Sequence, residues 1–436
     1  MRILSNQVKD HLNQTVCIEG WLHKKRILGG LTFINVRDRH GLTQVVLEDK
    51  LEVEKLRGLQ IGTVLSVQGT AIKEPRAPGG AELHQAVLEV LVPVAHEPPI
   101  EIDKPISHKP DNLDTLFEYR VLNIRNLAEQ KIFRIRAELL KNLRSFLNDH
   151  DFVEIQTPKL IAEATEGGAE VFKLDYFNQQ AYLAQSPQLY KQMLVGAFER
   201  VYEIAAAYRA EPSATTRHMS ELIMLDIEMG FVKSHDEILD MVGDMTIFCL
   251  RKTYETFQAE LKSLNAPELK LTERVPKITV KEIHSLYSKA NNTDTTKEKD
   301  LLPDEERWIC DYAKKQFGSE LVFATQFPVE AMKFYHKINP EDPTTVLWGD
   351  LLFRGLEIAT VPMRENNYDK LIGQMESAGL DINHPGYKYY LQAFEYGLPS
   401  HGGCGFGVDR LVEKTIGLAN VKEATLFPRD INRLSP

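Results

Sequence analysis

Tyr208-Arg209-Ala210-Glu211, then Arg217-His218, then Glu221-Leu222-Ile223-Met224-Leu225-Asp226-Ile227-Glu228 is the stretch on which the fold turns. It is flanked by two strand-like runs, Val201 to Tyr208 and Leu222 to Phe231, and the residues between them are polar and turn-prone. Strands joined by so short a connection pair antiparallel as a hairpin. Further strands are expected at Gln180 to Ala184, Leu321 to Thr325 and Leu351 to Ile358, and helices at Ser234 to Phe257, Pro303 to Gln316, Asn367 to Ser377 and Tyr387 to Tyr396. From Lys131, residues Ile132, Ile135, Leu139, Leu143 and Phe146 recur at helical spacing, and Val153 and Ile155 then alternate ahead of Pro158. Strands linked by helices of varied length, without a regular βαβ alternation, predict an α+β domain on an antiparallel β-sheet flanked by helices.

Residues 15 to 95 read differently. Val16/Ile18, Leu31 to Val36, Leu42 to Leu47, Val64 to Val67 and Ala86 to Leu91 are short strands separated by turn signals, a pattern that suits a small closed barrel of the OB type. Pro93, Pro98, Pro99, Pro105 and Pro110 follow, so a stiff, extended linker is expected, with a boundary near 95 to 112. The expected division is a barrel at 1–95, a linker or hinge at 96–130 and the α+β domain at 131–436. A chain of 436 residues exceeds what one core sustains, in agreement with this division.

Composition is that of a globular protein, 43% hydrophobic and 26% charged. No apolar run approaches the roughly 18 to 20 residues that span a bilayer, and the start lacks a hydrophobic signal region, so a cytoplasmic protein is the default expectation. Cys17, Cys249, Cys310 and Cys404 lie far apart, which argues against a zinc site or a disulfide framework. The net charge of −10 counts against a nucleic-acid partner, but His23-Lys24-Lys25-Arg26 and Arg37-Asp38-Arg39-His40 cluster basic groups on the barrel. The plain alternative is a solvated barrel face.

Four groups of residues carry chemistry. Arg209 and Arg217 stand one on each arm of the hairpin, where both could meet polyphosphate charge; taken alone, an exposed arginine in a hairpin is more often just a solvated charge. His401-Gly402-Gly403-Cys404-Gly405-Phe406-Gly407-Val408-Asp409-Arg410 strips side chains from one face of a strand at 403, 405 and 407, so a flat ring or another backbone can lie there; a glycine-rich turn is the plainer reading. It is neither a Walker loop nor a Rossmann fingerprint. Asp350 and Glu357 sit at opposite ends of one strand candidate, and they can address one Mg²⁺ only if a bulge or bend, which Gly355 could supply, brings them to one face. Lys191, in Gln185-Ser186-Pro187-Gln188-Leu189-Tyr190-Lys191-Gln192, and Arg364 are two cations suited to a small carboxylate.

In this order the segments resemble class II aminoacyl-tRNA synthetases, most closely the aspartyl-tRNA synthetases of the archaeal type, and the likeness covers essentially the whole chain. Phe152 to Pro158 is similar to motif 1, Tyr208 through Arg217-His218 to Glu228 to motif 2, and Gly403 to Arg410 to motif 3. Ala164-Thr165-Glu166-Gly167-Gly168-Ala169-Glu170 resembles the mobile loop that closes over the amino acid. The resemblance implies ATP and Mg²⁺, with Arg209 on the α-phosphate, Arg217 and His218 at the β/γ end, and Arg410 over adenine and γ-phosphate. The implied ATP set is Arg209, Glu211, Arg217, His218, Met219, Glu357, Gly407 and Arg410, with Asp350 and Glu357 on the metal. It places Glu166, Gln188 and Asp226 around the ammonium of L-aspartate, and Lys191 with Arg364 on its side-chain carboxylate. The barrel is implied to read the anticodon through His23, Phe33, Gln44 and Pro78. In this family His at position 23 with Pro near 78 goes with charging of both tRNA-Asp and tRNA-Asn. A homodimer is implied by motif 1, and neither a membrane nor DNA is an expected partner.

One stretch departs from the family pattern. Where members carry Ser-Gly-Gly-Gln-Arg-x-His, this chain has Thr360-Val361-Pro362-Met363-Arg364-Glu365-Asn366. A proline removes an N–H and a valine adds branched bulk where backbone normally approaches the ligand. Leu222, at a position often aromatic in bacterial relatives, offers the adenine side only apolar contact. Two rival readings follow: a divergent synthetase that activates another amino acid or charges another acceptor, and a non-catalytic tRNA-binding relative.

Overall fold

The structure, a computed structural model, describes residues 2–28, 31–104, 110–162, 171–212 and 215–435. They divide into two compact units, Met1–Gln130 and Lys131–Pro436. No helix among the described residues is long and apolar enough to cross a membrane.

The first unit is built on β1 (Thr15–Leu28), β2 (Leu31–Arg37), β3 (Leu42–Leu47), β4 (Val64–Lys73) and β5 (Ala81–Val92). They pair in the order β1-β2-β3-β5-β4, and β4 pairs back onto β1, closing a five-stranded barrel. Alternation along each strand sends Ile18, Leu22, Ile34, Val36, Val45, Leu47, Leu65 and Val67 inward. Closure leaves these strands no free edge. A helix over Lys50–Arg57, absent from the sequence expectations, joins β3 to β4, and the Asp49 side chain caps it by accepting from Leu51 N. Nor is the proline-dense segment extended throughout. Pro110–Glu118 and Arg120–Asn123 are helical, with Leu113, Leu116 and Phe117 buried together. Pro110 opens its helix, the position where a missing N–H removes no bond.

The second unit carries an eight-stranded sheet of β6 (Val153–Glu154), β7 (Arg200–Tyr208), β8 (Glu221–Gly230), β9 (Lys277–Thr279), β10 (Leu321–Thr325), β11 (Trp348–Phe353), β12 (Leu356–Pro362) and β13 (His401–Gly407). The order is β9-β10-β11-β12-β13-β8-β7-β6. Only the outermost pairs, β9 with β10 and β6 with β7, are parallel. The expected antiparallel sheet is thus present, with β7 and β8 as its hairpin, in register from Arg200↔Met229 to Tyr208↔Glu221. One expected strand is two: the chain reverses at Arg354-Gly355, both at positive φ (50° and 80°), so Leu351 to Ile358 is a hairpin between β11 and β12.

Four helices position the functional face: α1 (Leu127–Asp149), α2 (Gln188–Phe198), α3 (His235–Thr256) and α4 (Val408–Ile416). Ile132, Ile135 and Leu139 of α1 and Ile238 and Val242 of α3 share a core with Leu225 and Ile227 of β8 and Cys404 and Phe406 of β13. The two-residue period of β8 therefore sends Asp226 and Glu228 to the opposite face. Both are buried there.

Candidate active site

The floor of the site is the β8/β13 pair. Asp226 lies opposite Gly405 and Glu228 opposite Gly403. A Cβ on Gly403 would sit 1.9 Å from the Ile227 carbonyl oxygen and 2.7 Å from Glu228 Oε2, so only glycine accommodates this carboxylate. At Gly405 and Gly407 nothing comes within 3.4 Å, and both line a pocket of about 400 Å³. The stripped strand face of the sequence reading thus divides in two, one glycine making room for a side chain and two for a ligand.

At one end of the pocket lie the two cations of the expected carboxylate clamp. Lys191, one turn into α2 and 1% exposed, donates to Asp226 Oδ1 (2.8 Å) and the Cys404 carbonyl (2.9 Å). Arg364, also 1% exposed, donates from Nε and Nη2 to the two oxygens of Glu228 (3.0 and 3.1 Å) and lies over Tyr335. Arg364 and Asp226 line the pocket; Lys191 stands behind Asp226. One cation is therefore at the wall, and the other acts through a carboxylate. The Val361-Pro362 departure does not keep Arg364 away. Both residues belong to β12, His235 Nε2 lies 2.8 Å from the Val361 carbonyl, and the Arg364 N–H bonds the His401 carbonyl.

Gln188 differs from its expected role. Its Oε1 accepts from Arg364 Nη2 (3.3 Å), because a guanidinium can only donate, and its Nε2 is buried without a partner among the described residues. The open group is a donor, which an ammonium cannot use, so of the two residues only Asp226 offers an acceptor at the pocket. Glu166 lies outside the described residues.

At the other end, the β11/β12 hairpin brings its acids together. Leu351 pairs with Ala359 and Leu352 with Glu357, leaving Ile358 as the extra residue of a bulge. The bulge shifts the alternation by one, so Glu357 joins Thr360 and its partner Asp350 on one face. The expected bend at Gly355 is instead a full reversal, and the bulge does the aligning. Thr360 Oγ1 and Arg410 Nη1 donate to Glu357 (both 3.0 Å), and Trp348 Nε1 donates to Asp350 (2.7 Å). Burial and then the Glu357 carboxylate push the Asp350 carboxyl well above the usual range. Glu357 stays below its usual value because Arg410 and Thr360 outweigh its burial. Asp350, buried, and Glu357, half-buried and paired with Arg410, set hard carboxylate oxygens on one face, a donor set that suits a divalent cation. Among the described residues no group of three or more acidic, His or Cys ligands assembles, so a Mg²⁺ on this pair would complete its shell with phosphate and water oxygens.

Between the two ends the wall is cationic. The Arg209 guanidinium lines the pocket and makes no hydrogen bond or ion pair among the described residues. Arg217 turns to Glu306 (2.9 Å) and the Gly355 carbonyl (3.3 Å). Burial, reinforced by Arg410, Arg209 and Arg217 against Glu211, holds the His218 imidazole below its usual value. Glu211, Met219 and Leu222 also line the cavity.

On the barrel, Phe33 is half-buried on the outer face, two pairs along from Asn35↔Gln44. Gln44 Nε2 donates to Glu82 (2.7 Å), and the amide oxygen of Gln44 has no hydrogen-bond partner among the described residues. Pro78 opens a short turn and is half-buried. His23 is the extra residue of a β1 bulge and is itself buried; burial and then Arg37 hold its imidazole low. It does not present an open ring to a base.

Sequence reasoning passed over Glu228, Tyr335, His336, Trp348 and Asp409. Glu228 carried a usable signal, two residues after Asp226 on the same strand face. Asp409 accepts from Ile223 N (2.8 Å) and pairs with Arg136, tying α4 to β8 and α1. Tyr335 and His336 lie in an irregular stretch with no period to mark them.

Residues 112–431 match the family model described as tRNA synthetases class II (D, K and N), and residues 16–93 match an OB-fold nucleic acid binding domain. The chain is 37% identical to the aspartate–tRNA(Asp/Asn) ligase of Thermus thermophilus across the full length of both. It is 36% identical to the aspartate–tRNA(Asp) ligase of Pyrococcus abyssi, over 99% of each chain. Among solved structures, asparaginyl-tRNA synthetase from Pyrococcus horikoshii complexed with asparaginyl-adenylate superposes over 100% of both chains with a TM-score of 0.91 at 30% identity. With an OB-fold barrel, a sheet-based pocket that pairs a buried carboxylate grip with a cationic wall, and full-length identity of this order, the chain belongs to the class II tRNA synthetases of the D, K and N type.

Proposed function

We propose that this synthetase activates L-aspartate with ATP and transfers the aspartyl group to the terminal ribose of tRNA-Asp, with tRNA-Asn as a second acceptor. The observation that carries it is Arg364, held at the pocket wall by Glu228 and Gln188 opposite a wall of arginines. A guanidinium fixed from behind offers its remaining donors to a carboxylate. A carboxamide would set N–H groups against N–H groups, and a site built for one partner rejects the other strongly.

In this reading the aspartate α-carboxylate oxygen attacks the α-phosphorus in line. A new P–O bond forms, the bond to the bridging oxygen of pyrophosphate breaks, and pyrophosphate leaves with that electron pair. Arg209, with no competing partner among the described residues, is placed to take the charge that gathers on the α-phosphate. Catalysis is positioning and charge stabilisation, with no protein nucleophile. Mg²⁺ held by Asp350 and Glu357 would neutralise phosphate charge when bound. Asp226 takes the ammonium, Arg217, His218 and Arg410 the outer phosphates, and Gly405 and Gly407 leave open space for the nucleotide.

The barrel, residues 1–95, reads the anticodon in this proposal. Phe33 would stack a base, worth about 1–3 kcal/mol, and Gln44 would offer its free oxygen to a base edge. His23 would act by setting the bulge of β1, with Pro78 shaping the loop beside it; the Thermus thermophilus relative is likewise named for both tRNA-Asp and tRNA-Asn. Val153, exposed on the edge strand β6, supports pairing of two copies through that edge. Aspartate-dependent ATP–pyrophosphate exchange, with asparagine and glutamate as controls, tests activation: exchange with aspartate is expected, and its absence overturns the reading. Charging of purified tRNA-Asp and tRNA-Asn tests transfer, and failure to charge tRNA-Asn removes the second acceptor.

A further inference from the structure

His336 is a buried histidine, 3% exposed, whose ring nevertheless lines the pocket. It pairs as an isolated bridge with Arg364, and its ring packs against Tyr335 and Trp348 at centroid distances of 5.0 and 5.3 Å. Its Nδ1 accepts from the Lys333 backbone N–H (3.3 Å), while the His336 N–H returns a bond to the Lys333 carbonyl (3.0 Å). A backbone N–H can only donate, so Nδ1 carries no proton and the neutral ring has its proton on Nε2. That Nε2 has no hydrogen-bond partner among the described residues. Burial first, and then the positive charge of Arg364, hold the ring neutral, far below the usual histidine range.

A buried donor without an acceptor is costly, and a binding site is where such a cost is tolerated. Gln188 presents the same situation: its buried Nε2 is unpartnered and its oxygen is taken by Arg364. One unpaired N–H donor thus belongs to a residue bonded to the Arg364 guanidinium and the other to the bridge partner of Arg364. A ligand group that satisfies all three must accept from several directions. A carboxylate does so with two oxygens and no proton; a carboxamide has one acceptor atom and would turn its NH₂ onto a donor.

We propose that His336 is a specificity-determining residue of this pocket, donating from Nε2–H to the side-chain carboxylate of the bound amino acid beside Arg364. The proposal deepens the aspartate reading and rests on it. The neutral ring adds direction without adding charge, and the cavity keeps its charge balance when the amino acid leaves.

The test compares wild type with His336→Gln and His336→Phe in ATP–pyrophosphate exchange, with aspartate, asparagine and ATP each varied, after thermal denaturation has shown both variants folded. His336→Phe is expected to raise KM for aspartate by at least tenfold, to leave KM for ATP within twofold, and to narrow the preference for aspartate over asparagine. His336→Gln, which keeps a neutral N–H donor, is expected to recover most of that loss. An unchanged KM for aspartate in His336→Phe overturns the proposal, as does equal loss in both variants or loss confined to ATP. If His336→Phe does not fold, His336→Leu takes its place as the variant without a donor and carries the same comparison with His336→Gln. Wild type tests the aspartate reading separately: exchange with another amino acid and none with aspartate would overturn that reading and this donor role with it, whereas aspartate exchange insensitive to residue 336 would overturn this role alone.

Discussion

Glu228 is the residue on which the amino-acid end of the pocket balances. Both its oxygens are used by Arg364, and Lys191 Nζ lies 3.8 Å away, so the two cations and the pair Asp226 and Glu228 form one buried network of no net charge. Removing one member of a buried pair leaves an uncompensated charge, which typically costs about 3–5 kcal/mol. Glu228→Gln is therefore expected to lower stability by about 3 kcal/mol in urea denaturation, because Arg364 and Lys191 are left with Asp226 alone. Loss below about 1 kcal/mol would show that the network tolerates the excess charge. The sequence made Lys191, Asp226 and Arg364 legible because each sits in a recognisable motif. It did not make legible that Lys191 reaches the cavity only through Asp226, nor that Gln188 turns its oxygen to Arg364. Those facts depend on which partner wins each donor, a competition settled by three-dimensional packing.

The decisive element is the hairpin of β11 and β12. The sequence offered Leu351-Leu352-Phe353-Arg354-Gly355-Leu356-Glu357-Ile358, in which a single glycine inside a strand-like run reads as a bulge or bend as readily as a full turn, so period alone does not separate one strand from two. The reversal depends on Arg354 and Gly355 adopting positive φ, and Gly355 meets this at no steric cost. A Cβ there would meet Arg307 Cγ at 3.0 Å, and the Gly355 carbonyl already accepts from Arg217. Gly355→Val should therefore strain the turn by about 1–3 kcal/mol and disturb the alignment of Glu357 with Asp350. Activity should show a raised Mg²⁺ requirement while KM for aspartate changes little; an unchanged Mg²⁺ dependence would separate this turn from the metal pair. Other elements were legible within a residue or two, α3 and the Pro303–Gln316 helix among them, because their periods are long and their caps are marked. The Lys50–Arg57 helix was missed because eight residues with five charges carry little periodic signal.

Across the catalytic unit, several histidines are held neutral, with His336 and His401 buried and His235 half-buried at the surface with its ring packed inward on the Val361 carbonyl. His235 is held at about 4 by burial, against the bond to the Val361 carbonyl, and His336 and His401 are lowered for the same first reason. An unfolded histidine binds its proton near 6.5, so these groups contribute stability that is fully present above that pH and is lost as pH falls toward their folded values. For His235 alone the window is from about 6.5 down to about 4, and the full loss is about 3 kcal/mol. Urea denaturation at pH 7.5 and pH 5 should show the fall in wild type and a smaller one in His235→Gln; equal falls would remove His235 from the acid sensitivity. The same burial keeps the β12 strand, and with it Arg364, in place despite Val361 and Pro362. Domain order and the antiparallel sheet were readable from sequence because they follow from strand length and turn chemistry. What that delivered arginine selects is the central claim, and the ratio of kcat/KM for aspartate to that for asparagine in wild-type ATP–pyrophosphate exchange tests it most directly. A carboxylate grip of this kind predicts a preference for aspartate of about 10⁴-fold or more; comparable activation of asparagine would contradict it.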